Sequence, residues 1–308
     1  MFDLQSIKKY TLKYKSFIMN LLSLIRIKHY VKNSLIFIPI IFSLNFTNFS
    51  LVSKEILAFI SFSFAASFVY VINDIVDRDK DKLHPVKKYR PIAAGSINII
   101  IAICLASILL CISLWLALML NTYSVVIITI YLLSNLLYSF WLKNVPIIDV
   151  SIIALGFILR VLIGGTSISV PISKWLLLTI FTLSFYLGFA KRRNEMSKVC
   201  QVNETRKVLK EYNVSFLDKA MNSMLTLSIA FYALWSVDDQ VVKSFHSNKL
   251  IATVPLVLLG MFRYSLIVEG DSYGDPADVI LSDRLLQLII IIYIAFVFIL
   301  IYKFGPRS

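Results

Sequence analysis

Long apolar stretches alternate with short polar connectors along the whole chain. A helix that crosses a bilayer needs roughly 20 mainly apolar residues. Stretches of that kind fall at 34–52, 56–73, 97–119, 122–142, 146–165, 173–190, 217–237, 250–268 and 285–302. The pattern predicts an all-α integral membrane protein with nine transmembrane helices. The first stretch is the weakest, because Asn45, Thr47 and Asn48 dilute its end. Ahead of it, Lys8, Lys9, Lys13 and Lys15 are mixed with Phe17, Ile18, Leu21, Leu22, Leu24 and Ile25. That mixture predicts an amphipathic helix lying in the membrane interface. The expected organisation is an interfacial N-terminal helix over 1–33 and one transmembrane domain over 34–308.

Composition agrees with the pattern. Apolar residues make up 58% of 308 positions and charged residues 16%, against about 45–50% and 25% in soluble chains. The net charge is +13, but the basic residues sit between apolar stretches. Their natural partners are anionic headgroups and phosphorylated substrates rather than nucleic acid. With the N-terminus in the cytoplasm, 24 basic residues fall on the cytoplasmic side, 6 on the other, and Arg160 within a span. That asymmetry predicts a multi-pass protein of the inner (plasma) membrane, N-terminus in, its active site facing the cytoplasm. Cys104, Cys111 and Cys200 show neither metal spacing nor a disulfide framework, and the first two read as packing residues. Residues 1–20 lack the compact apolar core and small-residue cleavage site of a signal peptide.

The candidate chemistry follows the second stretch, in Asn73-Asp74-Ile75-Val76-Asp77-Arg78-Asp79-Lys80-Asp81. On a continuous helix, positions i, i+3 and i+7 share one face, which gathers Asp74, Asp77 and Asp81 and sends Asp79 elsewhere. Three carboxylates on one stripe repel one another. A hard divalent cation, Mg²⁺ in particular, would compensate and commonly brings a phosphate with it; Asn73 would add an amide oxygen. The competing reading pairs Asp77, Asp79 and Asp81 with Arg78, Lys80 and Lys82 at a solvated helix end. It leaves Asn73 and Asp74 unexplained at the membrane boundary, where polar groups are costly. Downstream, Lys87-Lys88-Tyr89-Arg90-Pro91-Ile92-Ala93-Ala94-Gly95 reads as a basic turn closing into a helix start, suited to holding phosphate. His84 reads as a surface residue of a charged loop.

The aspartate spacing followed by Arg90 to Gly95 resembles the first signature of the UbiA superfamily of intramembrane prenyltransferases, over most of the chain and with the same span count. Further segments resemble its decaprenyl-phosphate phosphoribosyltransferase branch: Lys32-Asn33; Pro146 to Val150 with Gly156-Phe157 and Arg160; Gly188 to Arg193 with Glu195; and Asp275-Pro276 with Asp278, Asp283 and Arg284. The resemblance implies an enzyme, a glycosyltransferase that moves 5-phosphoribose from phosphoribosyl diphosphate to a polyprenyl phosphate with Mg²⁺, in cell-wall or glycolipid synthesis. It implies Asp74, Asp77 and Asp81 as metal ligands, with Arg90 beside them in catalysis. Lys32, Asn73, Lys87, Lys88, Arg160, Lys191, Arg192, Arg193, Glu195 and Asp275 are the expected substrate contacts. Asp149 competes as a structural partner of Arg160, and Asp275 and Asp278 also suit a helix N-terminus.

One departure separates the branches. Aromatic prenyltransferases of the superfamily carry a second aspartate motif between the sixth and seventh spans. This chain has Lys191, Arg192, Arg193 and Glu195 there, with no aspartate before Asp218. A basic triad cannot chelate a metal but neutralises phosphate directly, as a second, metal-free phosphate substrate requires. The rivals are a prenyl transferase acting on an aromatic or other acceptor, which lacks its second acidic motif here, and a lipid-phosphate carrier or transporter, which would show inverted repeats and midplane charges. An oligomer is compatible with the sequence.

Overall fold

The structure, a computed structural model, describes residues 18–199, 207–245, 249–270, 279–280 and 282–304. Every regular element among the described residues is helical. The chain divides into two compact units, Met1–Leu142 with Leu159–Val170, and Lys143–Ile158 with Pro171–Ser308.

In the first unit, residues 18–25 form α1, and Arg26 turns the chain with a left-handed φ of 54° into a 3-10 helix at Ile27–Phe37. Next comes α2 (Ile38–Phe42), of five residues with Pro39 in its first turn. Helical backbone runs on from Ile27 through Phe42 and breaks at 43–48, so 34–52 is not one continuous helix. The polar end of that stretch explains the break. Leu44 takes a φ of 58°, and Asn48 Oδ1 accepts the N–H groups of Ser50 (3.1 Å) and Leu51 (3.4 Å). The Asn48 cap therefore starts α3 (Phe49–Val76), whose 28 residues take in the predicted stretch 56–73.

After α4 (Arg78–Leu83), α5 (Ile99–Leu120), α6 (Thr122–Phe140) and the C-terminal part of α7 (Ile148–Ser167) complete this unit. Small residues bring α3 and α5 together: Ala58, Ala65, Ala66, Ala102, Ala106 and Ala117 are buried. Ser61 Oγ donates to the Ser113 carbonyl (2.7 Å) and Ser113 Oγ to that of Ser61 (2.8 Å). Such inter-helix bonds average about 0.6 kcal/mol in membrane proteins, so close packing carries most of the association. Gly164 permits the closest approach, since a Cβ there would stand 2.1 Å from the Ile36 carbonyl oxygen.

The second unit holds the start of α7, then α8 (Lys174–Val199), α9 (Val214–Ser236), α10 (Asp239–Phe245), α11 (Val254–Glu269) and α12 (Arg284–Phe304). Its core gathers Val150, Tyr186, Phe189, Leu217, Met221, Tyr264 and Leu286. Thr182 and Ser228 join α8 to α9 at 2.9 Å, and a Cβ on Gly188 would reach Val150 Cγ1 at 2.4 Å.

Among the described residues, five helices are long and apolar enough to cross a membrane: α3, α5, α6, α7 and the stretch Lys249–Glu269 that contains α11. The pair α9 and α10, bent by 53°, makes a sixth. Each of the eight predicted stretches after 34–52 overlaps a helix of this set or α8 or α12. Cys104 and Cys111, expected as packing residues, are exposed on α5 instead.

Candidate active site

The aspartates do not ride one continuous helix. α3 ends at Val76, and Asp77 caps it at φ −91°, ψ 5°, its N–H bonded to the Asn73 carbonyl at 2.9 Å. α4 begins at Arg78 with an Asp81 N–H to Asp77 carbonyl bond of 2.8 Å. A break between i and i+7 abolishes the simple stripe, yet Asp74 and Asp81 still converge. Both are buried, at 2% and 4% exposure, while Asp77 is half-buried.

What joins them is arginine. Arg90 Nη1 donates to Asp74 Oδ1 at 3.1 Å and to Asp81 Oδ2 at 2.7 Å. Arg26 Nη2 donates to the same Asp74 Oδ1, and the guanidinium carbon of Arg26 sits 4.8 Å from the Tyr70 ring centre. A buried carboxylate without a partner costs several kcal/mol; Arg26 and Arg90 supply partners to Asp74, and Arg90 supplies one to Asp81. Arg26 escaped the sequence reading because it counted only as one more cytoplasmic cation, and its partner lies 48 residues away. The local pairing foreseen for a solvated helix end is realised at Asp79, which bonds Lys82 at 2.9 Å and is 87% exposed. That bond holds the Asp79 carboxyl below its usual range.

The loop after α4 differs from expectation. His84 Nδ1 accepts the N–H groups of Val86 (3.1 Å) and Lys87 (3.3 Å), a turn-closing role. Lys87 lies in the 3-10 turn Lys87–Tyr89, and Lys88 is exposed with Nζ 5.2 Å from the Tyr89 ring. Pro91 to Gly95 form turns rather than a helix start; α5 begins only at Ile99, capped by Asn98. The N–H groups of Ala94, Gly95 and Ile97 are taken by the carbonyls of Arg90, Ile92 and Pro91. Those three N–H groups close a turn, with Gly95 at φ 72°, that seats Arg90.

Arg160 is buried at 6%. Its Nε donates to Asn33 Oδ1 at 2.8 Å, and its guanidinium lies 4.8 Å over Phe62 and 5.4 Å over Tyr131. Asn33 Nδ2 in turn donates to Ser63 Oγ at 2.9 Å. The adjacent Lys32 is half-buried, and Asn73 is partly exposed at the end of α3.

In the second unit, Asp149 is wholly buried and pairs with Arg192 Nε at 2.6 Å. Arg192, 1% exposed, also bonds Glu195 at 2.9 Å. Tyr212 donates to Asp149 at 2.8 Å and accepts the Ile147 N–H at 2.6 Å. Burial first, with the Asp149 carboxylate adding to it, pushes the Tyr212 phenol well above its usual range and keeps it a donor. Arg193 bonds Asp218 at 2.5 Å and is 22% exposed. The basic triad is thus not three equivalent cations. Asp275 and Asp278 lie outside the described residues.

Among the described residues no three carboxylate, His or Cys groups close on a metal-sized point. The donor chemistry nevertheless fits a hard divalent cation. Buried oxygens of Asp74 and Asp81 already share one cationic atom, Arg90 Nη1, and hard cations take such ligands.

The UbiA prenyltransferase family is matched over residues 36–282. The chain is 31% identical over 276 residues to the decaprenyl-phosphate phosphoribosyltransferase of Mycobacterium tuberculosis, covering 88% of this chain and 90% of that protein. To the protein of the same name in Mycolicibacterium smegmatis it is 28% identical over 291 residues, covering 91% and 92%. A UbiA homologue from Archaeoglobus fulgidus, solved with DMAPP and Mg²⁺, superposes with a TM-score of 0.67 at 19% identity, over 91% of this chain and 98% of that one. The last comparison speaks for the fold alone.

Proposed function

Because the chain belongs to the UbiA prenyltransferase family, a family of multi-pass membrane transferases, we propose that it moves 5-phosphoribose from phosphoribosyl diphosphate to a polyprenyl phosphate at the cytoplasmic face of the inner membrane, in a reaction that needs Mg²⁺. The single observation that supports this reading best is the joint hold of Arg90 on the buried carboxylates of Asp74 and Asp81. Carboxylate oxygens and guanidinium donors side by side suit a diphosphate with its metal. The relatives named decaprenyl-phosphate phosphoribosyltransferase, matched nearly end to end, support the choice of substrates.

In the reaction, the bond from ribose C1 to the diphosphate breaks and the electron pair leaves on the diphosphate. An oxygen of the lipid phosphate then bonds to C1. A phosphate monoester is largely dianionic near neutral pH, its second pKa being about 6, so no protein base is needed. That accords with His84 closing a turn. A divalent cation held by Asp74, Asp77 and Asp81 would, when bound, neutralise charge on the departing diphosphate. Arg90 pairs with two of those carboxylates and orients them, and Lys87 and Lys88 stand in the same loop for further phosphate charge. For the lipid phosphate the second unit offers Lys191 and Arg193, the latter by exchanging Asp218 for the ligand. Arg192 and Arg160, deeply buried on protein partners, act by positioning, and Glu195 steadies Arg192. Lys32 is assigned to phosphate by the resemblance, as is Asp275 to the ribose.

The test is a membrane assay with labelled phosphoribosyl diphosphate and polyprenyl phosphates of several lengths, with and without Mg²⁺. Labelled lipid appearing only with the metal is expected. Its absence at every chain length would sink the reading.

A further inference from the structure

Arg26 sits at the hinge between α1 and the 3-10 helix Ile27–Phe37, in the left-handed region at φ 54°. Its side chain is 17% exposed, and among the described residues Asp74 is the carboxylate with which it pairs. Asp74 Oδ1 therefore accepts from two guanidiniums at once, those of Arg26 and Arg90. A metal ion that takes this oxygen must displace at least one of them. Arg90 keeps a second anchor on Asp81 at 2.7 Å; the Arg26 ion pair rests on Oδ1.

Charge decides where Arg26 goes. The buried carboxylates of Asp74 and Asp81 are matched by Arg26 and Arg90, two formal charges against two. A divalent cation arriving alone adds two positive charges to that matched set, in a half-buried place where uncompensated charge is costly. An anion arriving with the metal restores the balance, and a guanidinium fork suits phosphate oxygens. Resting on the reading above, we propose that Arg26 holds Asp74 before the donor arrives and turns onto the diphosphate when the metal enters, so that metal and diphosphate bind together. The ring of Tyr70, 4.8 Å below the guanidinium, is a surface over which it turns without leaving an aromatic face.

The experiment measures Mn²⁺ binding by electron paramagnetic resonance on the purified full chain, with and without inorganic diphosphate, for wild type, Arg26→Gln and Arg26→Lys. In wild type, diphosphate should tighten Mn²⁺ strongly. Arg26→Gln should bind Mn²⁺ alone about tenfold more tightly, since a competing charge is gone, and should lose about tenfold of the diphosphate enhancement; close charge pairs carry effects of at least that size. Arg26→Lys should recover most of the enhancement. Unchanged binding in Arg26→Gln, or equal weakening with and without diphosphate, overturns the proposal, as does an Arg26→Lys protein that behaves like Arg26→Gln. Wild type that binds no Mn²⁺ in either condition would instead overturn the metal reading of the aspartates.

Discussion

Each unit contains a buried carboxylate held by arginine, and the two differ in what reaches them. In the first, Asp74 and Asp81 are buried, but their partners Arg26 and Arg90 are 17% and 27% exposed. In the second, Asp149 and Arg192 are 0% and 1% exposed, and the Tyr212 hydroxyl fills a further acceptor place on Asp149. The chemistry of the pairs is alike; their accessibility is not. A cation that water and ligands can reach is exchangeable for a metal or a substrate. One sealed in the core is fixed, and removing its partner strands a charge. Under the proposed function the contrast suits the first cluster to a site and the second to a brace, with Arg192 an expected substrate contact that is 1% exposed.

Breaking the brace should give the largest effect. Asp149→Ala leaves Arg192 without its main counter-ion and should cost about 3–5 kcal/mol of stability, read as loss of folded protein in a thermal unfolding series in detergent. Asp74→Asn should do the reverse, keeping a melting midpoint close to wild type while turnover falls about 10²–10³-fold, the scale of one lost transition-state contact. If Asp74→Asn unfolds the protein and Asp149→Ala only slows it, the assignment of the two clusters is inverted. Gly164→Ala should cost about 1–3 kcal/mol by overpacking, since the new Cβ would meet the Ile36 carbonyl at 2.1 Å. At the small end, Asp79→Ala should leave the melting midpoint and turnover near wild type, because exposed ion pairs contribute little.

What the sequence made legible follows from the range of each signal. Apolar length is a local property, so eight predicted stretches overlap helices. The stretch 34–52 failed where Pro39, Leu44 and the Asn48 cap set the backbone, details that average hydropathy does not register. The aspartate spacing pointed to Asp74 and Asp81, but the assumption of one continuous helix missed the break at Asp77. Partners far apart in sequence stayed hidden: Arg26 is 48 residues from Asp74, and Arg192 is 43 from Asp149. A row of basic residues reads alike whether each side chain faces water, phosphate or a buried aspartate. Arg192 and Arg193, adjacent in sequence, differ in exposure from 1% to 22%.

Whether the aspartate cluster does the chemistry is decided by comparing purified wild type and Asp77→Asn in one reaction. Both proteins, folded to the same melting midpoint, would be given ribose-labelled phosphoribosyl diphosphate, polyprenyl phosphate and Mg²⁺. Wild type should release one diphosphate for each labelled lipid formed, and Asp77→Asn should be slower by about 10²-fold or more. An Asp77→Asn protein that transfers label at nearly the wild-type rate would contradict the account.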